Sequence, residues 1–251
     1  MKLYRELAEY YFAIEANHRN ILSDIHLIST YLKNYSDPSI LDLGCGTGEH
    51  LGSMKKLGVK KCVGIDNSSE MLAVARERHP DGIKFMNTNF RSFDFYQEFD
   101  IIISLFGSIA YITNERDVDS FFWNTWRAMK PGGTGIFEIW NSVPVKKIRN
   151  KPLSHVSTTT YQDIVIERER GFELINESKS ITEVNYRYSV SSRKGSLTYN
   201  DTHTMRSFTL DEVKKFIKNN GLIIKEVYAN SKKDPFNENS NKMLVIFQKE
   251  K

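Results

Sequence analysis

Apolar positions recur at two different periods along this chain, and the change of period marks where its architecture changes. Over residues 3–33 they return every three or four positions. Leu7, Tyr10, Tyr11 and Ile14 form one stripe, and Ile21, Leu22, Ile25, Ile28 and Leu32 form a second. Such stripes predict helices with one buried side. Asn17-His18-Arg19 reads as a break between two of them, and Ser36-Asp37-Pro38 ends the segment. Short apolar runs follow at 40–43, 62–66, 83–86, 99–104 and 134–140. The run at 99–104 is nearly continuous, as parallel strands covered on both faces are. Helical segments at 49–57, 69–78 and 115–129 alternate with the runs, and Lys130-Pro131-Gly132-Gly133 reads as a turn before the fifth. This alternation predicts an α/β fold.

The rhythm breaks at residues 141–206. Tyr161–Glu169, Phe172–Asn176, Ile181–Val190 and Ser196–Met205 are β-rich, with Gly171 and Arg193-Lys194-Gly195 as turn candidates. We read a small antiparallel sheet inserted into a main domain made of residues 1–140 and 207–251. Thr209 to Asn220 is a helix, with Thr209 as N-cap, Glu212 as its capping-box partner and Gly221 past its end. Leu222–Tyr228 and Met243–Gln248 are a closing strand pair joined by a polar, mobile connection.

Composition narrows the class. With 251 residues, 40% hydrophobic and 26% charged, the chain fits a soluble globular protein of one large domain with an insertion. Its net charge of +4 comes without a dense basic cluster, so nucleic acid is not an expected partner. Two cysteines, Cys45 and Cys62, argue against a disulfide framework. No apolar run has the length of a membrane span, and the start Met1-Lys2-Leu3-Tyr4-Arg5-Glu6 is too charged for a signal-peptide core. We expect a cytoplasmic protein, monomer or homodimer, without membrane contact. The histidines show no metal spacing, and no metal is expected.

The candidate chemistry starts at Ile40-Leu41-Asp42-Leu43-Gly44-Cys45-Gly46-Thr47-Gly48-Glu49-His50. A buried strand runs into three alternate glycines and then a helix. Glycine permits positive φ and close approach of a ligand to backbone, and the helix start offers free N–H groups. Asp66 stands at the end of the second strand, 18 residues beyond Gly48. It can accept from both ribose hydroxyls of a nucleoside, or serve as a helix cap.

Together, Asp42-Leu43-Gly44-Cys45-Gly46-Thr47-Gly48, the stretch Asp66-Asn67-Ser68-Ser69-Glu70-Met71-Leu72, and the block from Phe99-Asp100-Ile101-Ile102-Ile103-Ser104 through Lys130-Pro131-Gly132-Gly133 resemble the class I methyltransferases that use S-adenosylmethionine (SAM). The resemblance spans residues 38–140. It implies a doubly wound, Rossmann-like, seven-stranded sheet, mostly parallel, with its last strand antiparallel. It also implies SAM contacts at Asp42, Gly44, Gly46, Gly48, Asp66, Asn67, Met71, Asn89, Phe90 and Ser104, with S-adenosylhomocysteine as product. Asn89 departs from the family, where an aspartate usually binds the adenine amino group; an amide can accept as well as donate there. Phe90 either stacks on adenine or packs in the core.

Glu138-Ile139-Trp140-Asn141, the β-rich insert and Asp201-Thr202-His203-Thr204-Met205-Arg206-Ser207-Phe208 resemble a bacterial small-molecule subfamily. It includes N,N-dimethyltransferases of nucleotide-linked amino sugars and relatives in surface-polysaccharide clusters. The expected reaction is therefore N- or O-methylation of a small polar acceptor, a nucleotide-linked sugar or a capsule precursor. Candidates beside the acceptor are His203, Tyr11 and Glu138, then Trp140, Tyr111 and Phe106, with residues 141–206 as a lid on the acceptor side. The competing expectations are a SAM-binding regulatory protein without catalysis and a methyltransferase of an unrelated acceptor. The G-x-G-x-G spacing disfavours an NAD-dependent oxidoreductase.

Overall fold

The N-terminal stripes fold into less helix than their length suggests. In this computed structural model, which describes residues 1–16 and 18–250, a 3-10 turn (Ala8–Tyr10) leads into α1 (Tyr11–Ala16), and α2 covers Ile21–Leu32. Asn17, part of the expected break, lies outside the described residues. Asn20 caps α2 by accepting from Ser23 N–H. Then come β1 (Ser39–Leu43), α3 (Glu49–Lys56), β2 (Lys61–Asp66), α4 (Ser69–Arg78), β3 (Ile83–Asn87) and β4 (Phe99–Ser104). A second 3-10 turn (Ser108–Tyr111), α5 (Glu115–Ala128) and β5 (Met129–Trp140) follow.

The Lys130-Pro131-Gly132-Gly133 stretch is not a separate turn, as expected, but the start of β5. Its pairing with β4 shifts between Phe99 and Ile101, and Gly132 takes a φ of +76°. The turn residues absorb a bulge.

Between β5 and the last helix the chain adds α6 (Ser142–Ile148), β6 (Asn150–Tyr161), β7 (Ile164–Asn176), β8 (Ile181–Ser192) and β9 (Gly195–Arg206). The four strands form one antiparallel meander. Two expectations need correction here. Tyr161–Glu169 and Phe172–Asn176 are not two strands; most of both lies in β7, and Gly171 sits inside it. A Cβ on Gly171 would stand 2.7 Å from Lys151 O and 2.8 Å from Leu153 N, so glycine serves close approach to β6 rather than a turn. β6 itself was not expected, because its Ser- and Thr-rich, largely exposed sequence carries no clean alternation. α6 was also missed, being too short for a helical period to register.

α7 (Leu210–Asn219) begins with the expected capping box between Thr209 and Glu212. β10 (Leu222–Tyr228) and β11 (Lys242–Lys249) complete the main sheet, in the order β10-β11-β5-β4-β1-β2-β3. β11 runs antiparallel to both neighbours.

Alternation assigns the two faces of that sheet. Leu41, Leu43, Val245 and Phe247 join one apolar layer with α5 and α7; Ile40, Ile101, Leu244 and Ile246 join the other with α2 and α3. A third cluster links Leu3, Leu7, Tyr11 and Ile14 to Ile166, Val184, Tyr188 and Met205 of the meander. The N-terminal segment thus packs on the small sheet. The strand order reverses between β1 and β4, and there a crevice opens at the strands' carboxyl ends.

Candidate active site

β1 ends in the glycine loop. Gly44, Gly46 and Gly48 all take positive φ. At Gly44 the requirement is double: φ is +83°, and a Cβ would lie 2.5 Å from Ser108 Oγ. Gly44 and Gly46 border a cleft of about 260 Å³ whose walls also include Asp66, Asn67, Met71, Asn89 and Phe90. Met1, Tyr4 and Tyr11 of the N-terminal segment close one side, and Phe106, Ser108 and Tyr111 the other.

Asp66 accepts from Gly46 N–H at 3.0 Å and from Ser68 N–H at 2.9 Å. Burial pushes its carboxyl above the ordinary carboxylate value despite those two bonds. Each oxygen keeps a lone pair, enough for a pair of vicinal hydroxyls. Asn89 spends its side-chain oxygen locally, on Arg91 N–H at 2.8 Å and Ser92 Oγ at 3.3 Å. What it presents to a ligand is therefore its N–H2, a donor. Phe90 belongs to both environments weighed for it: it lines the cleft and meets Phe121 edge-on at 5.4 Å.

Three expected contacts are set back from the cleft lining. Gly48 caps α3, facing Phe85 and His79. Ser104 is fully buried and donates to Leu43 O. Asp42 is 2% exposed, and its Oδ2 has no hydrogen-bond partner among the described residues. Burial, opposed by His50 and Arg19, raises its pKa to about 6. Arg19 was missed from sequence. Its guanidinium lies over the Phe106 ring at 4.4 Å and near Tyr11, with Nε buried and without a hydrogen-bond partner among the described residues. Phe106 holds a φ of +58°, a strained setting of the kind found where a site fixes geometry.

A second chamber joins the first across Tyr4, Phe106 and Tyr111, which line both. Its far side is built by Glu138, Trp140, Arg168, Arg170, Tyr186 and Lys242. Glu138 is paired with Lys242 at 2.6 Å. Arg168 and Glu15, both nearly fully buried, stand 3.0 Å apart; Arg168 Nη1 makes no directed hydrogen bond there. Arg170, half-buried, has no carboxylate within 4.0 Å among the described residues. It also borders an outer groove walled by Trp140, Ile148, Phe172 and Val184, with Lys151 and Lys242 on its rim.

His203 does not line either chamber. It is 1% exposed on β9, with Nδ1 2.7 Å from Tyr111 Oη and Nε2 3.0 Å from Asp201 Oδ2. Tyr111 Oη in turn lies 2.8 Å from Tyr4 Oη. Tyr11, expected beside the acceptor, lines the first chamber and not the second. Among the described residues no three His, Cys, Asp or Glu side chains converge as metal ligands would. No helix among them is long and apolar enough to cross a membrane.

A family model described as a methyltransferase domain matches residues 40–133. A Bacillus subtilis protein named as a methyltransferase, YqeM, is 27% identical over 216 residues, 84% of either chain. The dTDP-4-amino-2,3,4,6-tetradeoxy-D-glucose N,N-dimethyltransferase of Saccharopolyspora spinosa is 28% identical over 184 residues, 73% of this chain and 71% of that one. Among solved structures, an S-adenosylmethionine-dependent methyltransferase from Clostridium acetobutylicum superposes with a TM-score of 0.81 over 98% of both chains at 16% identity.

Proposed function

We propose that the chain is a class I SAM-dependent methyltransferase and that it methylates the amino group of a sugar carried on a nucleoside diphosphate. In this reading SAM fills the first chamber. Its ribose hydroxyls meet Asp66, its adenine lies against Phe90 with Asn89 donating to a ring nitrogen, and its carboxylate is drawn to Arg19. The sulfonium methyl then points across the boundary formed by Tyr4, Phe106 and Tyr111. In-line displacement requires the acceptor nitrogen to sit in the second chamber at near contact with that methyl; such positioning can supply up to roughly 7–11 kcal/mol.

The observation that carries the acceptor class is Arg170. It is a half-buried cation without a carboxylate partner among the described residues, at the junction of the second chamber and the outer groove. A phosphate joined to the reacting sugar would satisfy it, with Lys151 and Lys242 nearby and the apolar groove wall left for a base. The name of the Saccharopolyspora relative is of the same acceptor class.

The test is formation of S-adenosylhomocysteine from SAM with nucleotide-linked amino sugars, their hydroxyl counterparts and free amino sugars. Turnover should be confined to the nucleotide-linked amines. Arg170→Gln should raise KM for that acceptor at least tenfold while SAM affinity is unchanged. Equal turnover of the free sugar refutes the phosphate assignment.

A further inference from the structure

We infer that Asp201 sets the direction of a partly buried hydrogen-bond chain, Asp201–His203–Tyr111–Tyr4, so that it ends in an open acceptor lone pair on the Tyr4 hydroxyl at the boundary of the two chambers. This is the atom that takes the proton of the acceptor. The inference rests on the methyltransferase reading of the site and adds its proton path.

Direction follows from the partners. Asp201, 7% exposed, receives Leu3 N–H at 3.0 Å and faces His203 Nε2 at 3.0 Å with the same oxygen. Burial pushes its carboxyl up, but the His203 and Leu3 bonds outweigh burial and hold it below the ordinary value. An ionised carboxylate only accepts, so Nε2 carries the imidazole proton. In the neutral imidazole Nδ1 is then an acceptor, and Tyr111 O–H must donate to it across 2.7 Å. Having spent its proton, Tyr111 Oη can only accept from Tyr4 across 2.8 Å. Tyr4 is left with a lone pair and no proton to offer the chambers it lines. Burial raises both tyrosines well above their ordinary value, so they stay neutral and able to pass protons. The groups facing His203 are Tyr4 from the N-terminal segment, Tyr111 from the 3-10 turn, Tyr186 from β8 and Asp201 from β9.

An ammonium acceptor placed against Tyr4 gives its proton to Tyr4 Oη as the Tyr4 proton moves to Tyr111 Oη and the Tyr111 proton to His203 Nδ1. The imidazolium formed lies against the Asp201 carboxylate. The freed nitrogen pair forms the N–C bond, the C–S bond breaks, and its electron pair stays on sulfur as the neutral thioether. Asp201 is a positioning residue: it acts through His203. Residues 3 and 4 hold both ends of the chain, so the path is complete only with the N-terminal segment in place over the SAM cleft.

Two-bond 15N–1H correlation on full-length protein labelled at histidine nitrogen, without ligand, reads the tautomer; His203→Gln assigns the signal. The expected result is His203 protonated at Nε2, with Nδ1 shifting toward the free-acceptor value in Tyr111→Phe. A proton on Nδ1 in the wild type overturns the direction and with it the inference. In turnover of a nucleotide-linked amino sugar, Tyr4→Phe and Asp201→Asn should each lower kcat by roughly 10²–10⁴ with SAM affinity kept. Unchanged kcat in Tyr4→Phe refutes the proton path even where the tautomer is as expected. A wild type inactive on every amino sugar refutes the acceptor class instead, and the spectrum still decides the chain's direction.

Discussion

Asp42 should make the free protein less stable as pH rises from about 4 to about 6. The carboxyl is 2% exposed on β1, one oxygen has no partner among the described residues, and burial raises its pKa from 3.8 to about 6 in spite of His50 and Arg19. A carboxyl whose folded pKa exceeds its unfolded value binds its proton more tightly in the folded state. Its ionisation therefore costs nothing below the unfolded value, and the cost grows until the folded value is passed. At 1.36 kcal/mol per pH unit, the interval from 3.8 to about 6 amounts to about 3 kcal/mol. Asp42→Asn removes that titration. The amide carries its own cost of burial without a partner, but that cost is the same at every pH. Urea unfolding at pH 4 and pH 7.5, without SAM, cancels it. The stability of Asp42→Asn relative to wild type should be about 3 kcal/mol more favourable at pH 7.5 than at pH 4. An equal difference at the two pH values refutes the assignment. The charge is costly where it stands, on the strand leading into the glycine loop, and unfavourable groups kept in a fold concentrate at functional sites.

Asp66→Ala removes an acceptor for two hydroxyls, and charged hydrogen bonds are worth roughly 1.5–3 kcal/mol each; SAM affinity by titration calorimetry should fall at least tenfold, and unchanged affinity sinks the ribose role. Gly44→Ala combines a φ of +83° with a Cβ 2.5 Å from Ser108 Oγ, so it should lower Tm and weaken SAM binding together, the left-handed setting alone costing roughly 1–2 kcal/mol. Glu15→Gln leaves the Arg168 charge buried without its counter-ion, which should destabilise the protein by about 3–5 kcal/mol in urea unfolding; replacing Arg168 with Met in the same chain should recover most of the loss.

What the sequence disclosed was whatever is written locally. The buried strands, the glycine loop and Asp66 each lie within one short stretch whose period or spacing is visible without the fold. The hydrogen-bond chain was not legible, because Tyr4, Tyr111 and His203 come from three distant segments and no spacing joins them. Arg19 was hidden in the same way, inside a break between helices rather than within a motif. Arg170 is the instructive omission. Ile166, Arg168 and Arg170 alternate along β7, and all three are buried or half-buried. Two arginines at successive inward positions are a signal that alternation can disclose, since inward charge on a strand demands a counter-ion or a ligand. Reading Gly171 as a turn ended the strand at Glu169 and cut Arg170 out of the pattern. With the strand continued through the glycine, Arg168 finds its counter-ion in Glu15, and Arg170 is left as the inward cation with no carboxylate within 4.0 Å among the described residues.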